Sequence, residues 1–270
     1  MTRIEYKTDD QIRVMRRAGL VVAKLHSAVR EAAVVGATTN DLDRVAAQVI
    51  AEAGATPNFL GYYGYPKTIC TSVNDEVVHG IPSERELQAG DLLSVDAGAV
   101  VDAWHGDAAF SMIVGGEHDP RDEALIQATT DTMWAGIAAV ATSKFLGQVS
   151  AAMEDAARAA GQYGIVRDYT GHGIGSAMHQ PPEVLNYRTR SRGPRLKRGM
   201  CLAIEPMLTL GEHHTNVLDD DWTVVTADGS RAAHVEHTVA IHSRGIWVLS
   251  APDGGEAGLA PHGITPYTLD

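Results

Sequence analysis

The sequence predicts an α+β fold made of two similar halves, with helices outside and an antiparallel sheet inside. The same order of helical and strand-like segments occurs twice, and the two strand entries look alike. The segments AGDLLSVDAG, from Ala89, and RGMCLAIEPM, from Arg198, each place an acid six residues after a glycine. These acids are Asp96 and Glu205, so we expect halves related by pseudo-symmetry. The alternative is a chance recurrence of common element types.

The first half covers about residues 8–116 and is expected to begin with two helices. Apolar residues recur at helical spacing within residues 10–35. The segment TTNDLDRVAAQVIAEAG then opens on capping residues and ends on Gly54, as a second helix would. A loop rich in Gly, Tyr and Pro, FLGYYGYPKTIC, follows, and β-rich segments continue to Gly116.

The second half covers about residues 120–250 and repeats this order. PRDEALIQATTDTMWAGIAAVA predicts a long helix, and a shorter one is expected from Ser150 to Gly161. Glycine-rich loops and further strands follow. We therefore expect a single catalytic domain over residues 1–250. The remaining residues, 251–270, are rich in Gly and Pro and predict a tail that lies over the surface or is disordered.

Composition and charge limit the classes of protein that the chain can belong to. The 270 residues carry a net charge of -12, which argues against a nucleic-acid partner. Two cysteines make a secreted disulfide framework improbable. The N-terminus has no signal-peptide core, and no apolar run reaches the roughly 18 residues that span a membrane. These features predict a cytoplasmic enzyme without a membrane partner.

Two acids in the segment SVDAGAVVDAWHGDAAFSMIV raise an electrostatic problem. If Asp96 and Asp107 form a cross-strand pair, the hairpin turn is centred between Val101 and Asp102. Directly opposed residues have Cβ atoms about 4.5–5.5 Å apart, where like charges destabilise a sheet. Since apolar residues surround both acids, a shared proton or a cation is needed to stabilise the pair.

The second half offers Glu205 in LAIEPML and Glu236 in AAHVEHTVAI. Four converging carboxylates would carry a charge of about -4, which two divalent cations would cancel. One imidazole would complete a dinuclear hydrolytic site. In YTGHGIGSAMHQPP, His172 and His179 can meet such a site only through a bent strand and loop, with different roles. The alternative is four separate acids, each hydrogen-bonded or exposed.

These segments together resemble a known family. CTSVNDEVVHGIP, SVDAG with HGD, GHGIG with MHQPP, IEPM and VEHT occur in order between about residues 8 and 250. They resemble the type I methionine aminopeptidases, which have the pita-bread fold with a central curved antiparallel sheet. His179 and Glu205 lie only 26 residues apart, which leaves no room for the helical insertion of type II enzymes. The short bacterial form is the nearest likeness.

The resemblance assigns roles to individual residues. The implied metal ligands are Asp96, Asp107, His172, Glu205 and Glu236. The implied catalytic residues are His79, His179 and Glu205. The two catalytic histidines would also contact the substrate, together with pocket walls formed by Phe59, Tyr62, Tyr65, Cys70, Met178 and Trp222. Phe59 and Met178 depart from the residues usual in the family, which leaves the size of the pocket open.

The implied reaction is removal of the initiator methionine from nascent polypeptides with a small second residue. Two divalent ions, of Co, Mn, Fe, Zn or Ni, would activate a water, with Glu205 as its general base. His179 would stabilise the oxyanion, and His79 would bind the scissile amide. The resemblance also allows a monovalent cation near Asn74, and it favours a monomer with transient ribosome association.

Other assignments stay open at this point. A non-catalytic binding protein could use the same fold, but every implied ligand position holds a competent residue. A hydrolase of X-Pro peptides on this fold is a further alternative. His105, beside Asp107, is interpreted as a structural residue. Cys70 is the better candidate of the two cysteines for covalent modification.

Overall fold

A computed structural model describes residues 3–269. Helices α1 (Asp9–Ala32) and α2 (Thr39–Glu52) open the first half, and both begin with a capping box. In each box a threonine hydroxyl accepts the N–H of the third helical residue, whose side chain accepts the threonine N–H in return. The strands of this half are β1 (Thr56–Pro57), β2 (Cys70–Val73), β3 (Glu76–Val78), β4 (Leu92–Val101) and β5 (Trp104–Ile113).

The second half opens in the same way, with α3 (Pro120–Thr142) and α4 (Leu146–Ala160). Its strands are β6 (Gly164–Ile165), β7 (Gly171–Gly173), β8 (Gln180–Val184), β9 (Cys201–Ile204), β10 (Met207–Thr209), β11 (Thr215–Val217), β12 (Val224–Thr226), β13 (Ala232–His234), β14 (Glu236–His242) and β15 (Gly245–Val248).

The start of α4 differs from the expected one. The helix begins at Leu146, four residues before Ser150. The Gln148 side chain accepts the backbone N–H groups of Lys144 and Phe145, so the first turn is capped without a Ser, Thr or Asp. Sequence reasoning that looks for those residue types places the start of this helix too late.

The main sheet joins both halves through antiparallel pairs. Its strand order is β1-β4-β5-β14-β9-β7-β8, with β2 paired to β4 and β15 paired to β14. The β4–β5 hairpin of the first half therefore lies beside the β14–β9 pair of the second. Gly90 and Gly199, which precede β4 and β9, both adopt positive φ, at 84° and 87°. This shared geometry matches the similar strand entries in the sequence.

The register of the β4–β5 hairpin corrects the expected one. Asp96 lies opposite Ala109, and Asp107 lies opposite Gly98, so the two acids are diagonal and not directly opposed. The turn is centred one residue later, between Asp102 and Ala103, which have φ of 47° and 65°. Two left-handed residues give the tight turn that matches strand twist. Because the offset between the acids is two residues, both still face the same side of the sheet.

Helix α1 packs unusually close to the hairpin. A Cβ atom placed on Gly106 would lie 2.6 Å from the backbone nitrogen of Gly19, on the facing helix. Glycine at both positions lets the two backbones approach.

The last segment of the chain is ordered against the body. It forms a short helix, α5 (Glu256–Leu259), in which Leu259 is fully buried. The Arg16 guanidinium, on α1, donates to the carbonyls of Leu249, Ala251 and Pro252. Hydrogen bonds and apolar burial therefore both hold this segment in place. No helix within residues 3–269 is long and apolar enough to cross a membrane.

Candidate active site

A single pocket brings together every site residue that the sequence suggested. The five implied ligands form its floor, and His79 and His179 lie beside them. All six expected wall residues also line it: Phe59, Tyr62, Tyr65, Cys70, Met178 and Trp222. Residues from both halves of the chain therefore meet in one cavity.

The strand register explains how four carboxylates converge. Asp96 on β4 lies opposite Ala109 on β5, and Ala109 in turn lies opposite Glu236 at the start of β14. The pairing of His237 with Ile204, continued by one residue, places Glu205 next to Glu236. A row of side chains thus crosses four neighbouring strands, and Asp107 lies two residues from Ala109 on the same face.

His172 enters this site from the neighbouring strand. It lies on β7 opposite Ala203, two residues before Glu205 on the same face of the sheet. Its Nε2 is 3.3 Å from Oε1 of Glu205. The ligand atoms of Asp107, His172 and Glu236 all lie within 4.8 Å of one another. Two carboxylates and one imidazole at this spacing can hold a divalent cation.

Unpartnered oxygens support the same conclusion. Asp96 Oδ1, Asp107 Oδ1 and Glu236 Oε1 are buried, and they make no hydrogen bond to any group in the described part of the chain. A buried carboxylate oxygen without a partner is costly unless a proton or a cation compensates it. The residues present therefore fit a site for divalent metal.

Burial also controls the protonation of the site. It raises the pKa of Asp96 to about 7 and the pKa of Glu205 to about 8. For Asp107 and Glu236, burial and then repulsion from neighbouring carboxylates raise the pKa well above the usual range. Burial lowers the pKa of His172 to about 3, so its imidazole is neutral at physiological pH. Neutral imidazole is the form that ligates metals.

His79 and His179 flank this floor in different ways. His79 follows β3 with a positive φ of 61°, and its ring packs against Tyr169 at 5.4 Å between centroids. His179 lies between β7 and β8, and its Nδ1 is 2.8 Å from the hydroxyl of Tyr62. The expected bent strand and loop is confirmed, because His172 lies on β7 and His179 just before β8.

The pocket wall is mainly apolar. Phe59, Tyr65, Cys70 and Met178 are buried together, with Trp222 packed against them. The Tyr65 hydroxyl donates to the carbonyls of Ile69 and Gly80, which fixes its ring. Burial raises the pKa of the Cys70 thiol well above its usual range, which disfavours the reactive thiolate, and its covalent modification stays a prediction. Both cysteines are free and buried.

Sequence reasoning missed other residues that line this pocket: Val78, Tyr169, Thr170, Met207 and His234. His234 carried a usable signal, since it precedes Glu236 by two residues, a spacing that would put both on one face of a continuous strand, although the fold places them on β13 and β14. His105 agrees with its structural interpretation. Its ring Nδ1 is 3.0 Å from Asn58 Oδ1, and its backbone N–H donates to the carbonyl of Gly175.

The fold and the site define a metallopeptidase. Residues 13–243 match metallopeptidase family M24, and the chain belongs to that family. It is 51% identical over 253 residues to methionine aminopeptidase 1 of Mycobacterium tuberculosis, covering 92% of this chain and 95% of that one. It is 45% identical over 245 residues to the methionine aminopeptidase of Clostridium acetobutylicum, covering 90% of this chain and 97% of that one.

The solved structures agree with these sequence matches. The crystal structure of methionine aminopeptidase from Thermotoga maritima matches with a TM-score of 0.88 at 40% identity, covering 93% of this chain and 99% of that one. The resemblance found in the sequence, and the pita-bread fold that it implied, are thereby confirmed.

Proposed function

We propose that this protein removes the initiator methionine from polypeptides whose second residue is small, by metal-dependent hydrolysis of the first peptide bond. The observation that supports this most directly is the shared cavity. A buried set of carboxylates and one imidazole lies beside an apolar, aromatic wall whose polarity suits an unbranched thioether. The similarity to methionine aminopeptidases agrees with this assignment.

Asp96, Asp107, His172, Glu205 and Glu236 are proposed to hold two divalent cations. Bound cations of this kind supply Lewis acidity, which lowers the pKa of water towards neutrality. The mixed oxygen and nitrogen donors accept Mn, Fe, Co, Zn or Ni, and availability decides among them. A monovalent cation near Asn74 stays a prediction, since the Asn74 side chain already bonds to Asp91 and to the Leu92 N–H.

The protein residues then divide the proton transfers. Glu205 is proposed to accept the proton of the attacking water, because its carboxylate lies among the proposed ligands in the pocket. When the Tyr62 hydroxyl donates to Nδ1 of His179, the ring proton stays on Nε2. That N–H can then donate to the developing oxyanion, which is worth about 3–4 kcal/mol at comparable sites. His79 is proposed to bind the scissile amide and to assist its departure.

The test is hydrolysis of Met-Ala-Ser by protein stripped of metal, before and after each divalent metal is added back. We expect release of methionine only with metal, and no release by Glu205→Ala. An X-Pro peptide assayed in parallel distinguishes the imidopeptide hydrolase. Stoichiometric metal binding without cleavage of either peptide would instead support a non-catalytic binding protein.

We also propose that the protein acts in the cytoplasm as a monomer and meets nascent chains by transient association with the ribosome. Sedimentation of the pure protein tests the first part, because a stable dimer would contradict it. Co-sedimentation with translating ribosomes tests the second, because it should fall when the nascent chain begins with a residue other than methionine.

A further inference from the structure

A fourth imidazole lies in the metal pocket beside the three histidines already described, His79, His172 and His179. His234 ends β13, two residues before Glu236, and only 2% of its surface is exposed. It lines the same cavity as the proposed ligands. Its Nε2 is buried and has no hydrogen-bond partner among the described residues. An unpartnered nitrogen inside a polar site is costly, so its orientation needs an explanation.

The atom that Nε2 faces is a carboxylate oxygen of Glu205. His234 Nε2 is 3.6 Å from Glu205 Oε2, while His172 Nε2 is 3.3 Å from Glu205 Oε1. Each oxygen of this carboxylate therefore faces a different imidazole. A gap of 3.6 Å is longer than a normal hydrogen bond. A shift of roughly half an ångström would close it to bonding distance.

The main chain of His234 is fixed by the first half of the molecule. Its N–H lies 3.0 Å from Ser111 Oγ, and the Ser111 hydroxyl donates back to the His234 carbonyl at 2.8 Å. Ser111 on β5 is paired with Ser94 on β4, and their hydroxyls are 2.8 Å apart. These bonds hold the main chain of His234 beside the carboxylate row.

We propose that His234 is a positioning residue of the metal centre, whose Nε2–H donates to Glu205 and fixes the orientation of that carboxylate. This proposal rests on the metal-binding role of Glu205 proposed above. With one oxygen held by His234, the other would stay on the side of His172, where the two residues would hold a cation together. An imidazole whose proton lies on Nε2 has one N–H to donate at that position. Ligating carboxylates are generally oriented by such hydrogen bonds.

The test compares His234→Ala with His234→Gln. Loss of a group that orients a ligand typically costs about 10–100-fold in metal affinity or activity. We expect His234→Ala to weaken Co(II) binding by that factor in titration calorimetry, and to lower kcat more than it changes KM. The amide of His234→Gln can donate a hydrogen bond in place of the ring, so this variant should recover most of both. The absorption spectrum of bound Co(II) should keep the same nitrogen donor bands in all three proteins.

His242→Gln provides the matched control, because His242 is as buried as His234 but bonds to the carbonyl of Tyr267, outside the pocket. It should leave Co(II) affinity unchanged. Thermal unfolding of the stripped variants separates a folding defect from a binding defect.

Two results would overturn the proposal. The first is wild-type Co(II) affinity and kcat in His234→Ala. The second is a lost nitrogen donor band in the Co(II) spectra of both variants, with Co(II) affinity that His234→Gln does not recover. That result would make His234 a direct ligand. Failure of the wild type to cleave Met-Ala-Ser would count against the proposed activity alone, because the affinity comparison needs no turnover.

Discussion

The two pairs of carboxylates in the pocket are built differently by the two halves of the molecule. Asp96 and Asp107 belong to one hairpin with a two-residue turn, on strands of ten residues each. Glu205 and Glu236 flank a stretch that contains four further strands, β10 to β13. The first pair is joined by local chain geometry, and the second only by long-range pairing of β9 with β14.

This difference has a functional consequence. The turn of the first pair leaves no room for additional residues, so the hairpin contributes two carboxylates on a rigid support. The longer connection of the second pair contributes Trp222 to the pocket wall and His234 to the metal site. An antiparallel strand pair therefore supports the carboxylates of each half, β4–β5 in the first and β9–β14 in the second. The residues between Glu205 and Glu236 also shape the pocket.

The largest expected effect comes from removing one proposed ligand from each half. Asp107→Asn and Glu236→Gln each take a charged oxygen from the cluster with His172. We expect both to reduce metal binding and kcat/KM by more than the roughly 100-fold that loss of an orienting group costs. Calorimetric metal titration and Met-Ala-Ser hydrolysis measure this. A variant that retained two tightly bound metals would show that the halves do not contribute equally.

The next largest effect is a loss of kcat from a substitution in the second half alone. His179→Ala removes the proposed oxyanion donor without removing a ligand, so we expect kcat to fall about 10²–10³-fold. Metal content should stay at the wild-type value, as measured by elemental analysis of the dialysed protein. His214→Ala, an exposed histidine outside the pocket, is the control. Loss of metal in His179→Ala would indicate a structural role.

Residue chemistry alone predicted part of this site. The repeated glycine-to-acid spacing located Asp96 and Glu205, and charge repulsion among buried acids indicated a cation. The assignment of His79 and the pocket walls needed the family resemblance, because single aromatic residues in a loop have no spacing that marks a site. His172 could be linked to the acids only through the fold, since β7 meets β9 across about 30 residues of sequence.

Other features were set by contacts that the sequence does not display. The hairpin register depends on Ala103 adopting a left-handed conformation, which residue type disfavours. The order of residues 251–269 depends on Arg16 of α1 and on burial of Leu259, both distant in sequence. The proximity of His234 to Glu205 could not be foreseen, because Glu205 follows β9 and only the folded chain brings it near His234.

The pH dependence of the free energy of unfolding, measured on metal-free protein, tests whether both halves bury their acids. Burial raises the pKa of Asp96 to about 7 and of Glu205 to about 8, above the usual 3.8 and 4.5. At these two carboxyls the folded state therefore binds more protons than the unfolded state between about pH 4 and pH 8. Buried histidines such as His172, whose pKa is lowered to about 3, act in the opposite sense below about pH 6.5. The free energy of unfolding should therefore decrease as pH rises from about 6.5 to about 8.

Thermal unfolding across this range measures the effect, and added metal should flatten the dependence because cations replace the protons. Asp96→Asn and Glu205→Gln should each remove part of the slope. Metal-free protein that was more stable at about pH 8 than at about pH 6.5 would contradict the expected sign.

A smaller effect concerns stability, and it compares the packing of α1 in the first half with that of α3 in the second half. Gly106→Ala places a methyl group 2.6 Å from the backbone nitrogen of Gly19, which cannot move aside. We expect a loss of about 1–3 kcal/mol in the free energy of unfolding. Gly136→Ala, in α3 of the second half, meets the flexible side chain of Met153 and gains helix propensity. Denaturant unfolding should show a clearly smaller loss there, and equal losses would mean that the two layers are equally tight.

The smallest effect concerns a contact between the two halves. Glu5, in the N-terminal arm before α1, contacts the loop between β7 and β8. Glu5 accepts hydrogen bonds from the Ser176 hydroxyl at 2.6 Å and from the Gln180 amide at 3.1 Å, on either side of His179. A single hydrogen bond is worth about 0.5–1.5 kcal/mol, and about 1.4 kcal/mol corresponds to tenfold. Glu5→Ala should therefore lower kcat several-fold without changing metal affinity.

The control for this variant is Glu84→Ala, which removes a glutamate that bonds to Asn40 on the surface. Steady-state hydrolysis of Met-Ala-Ser compares the two. If Glu5→Ala changed only KM, the arm would shape substrate entry and leave the oxyanion donor in place. If it changed neither constant, His179 would be held by Tyr62 and the strands β7 and β8 alone, and the second half would position its own catalytic histidine without help from the first.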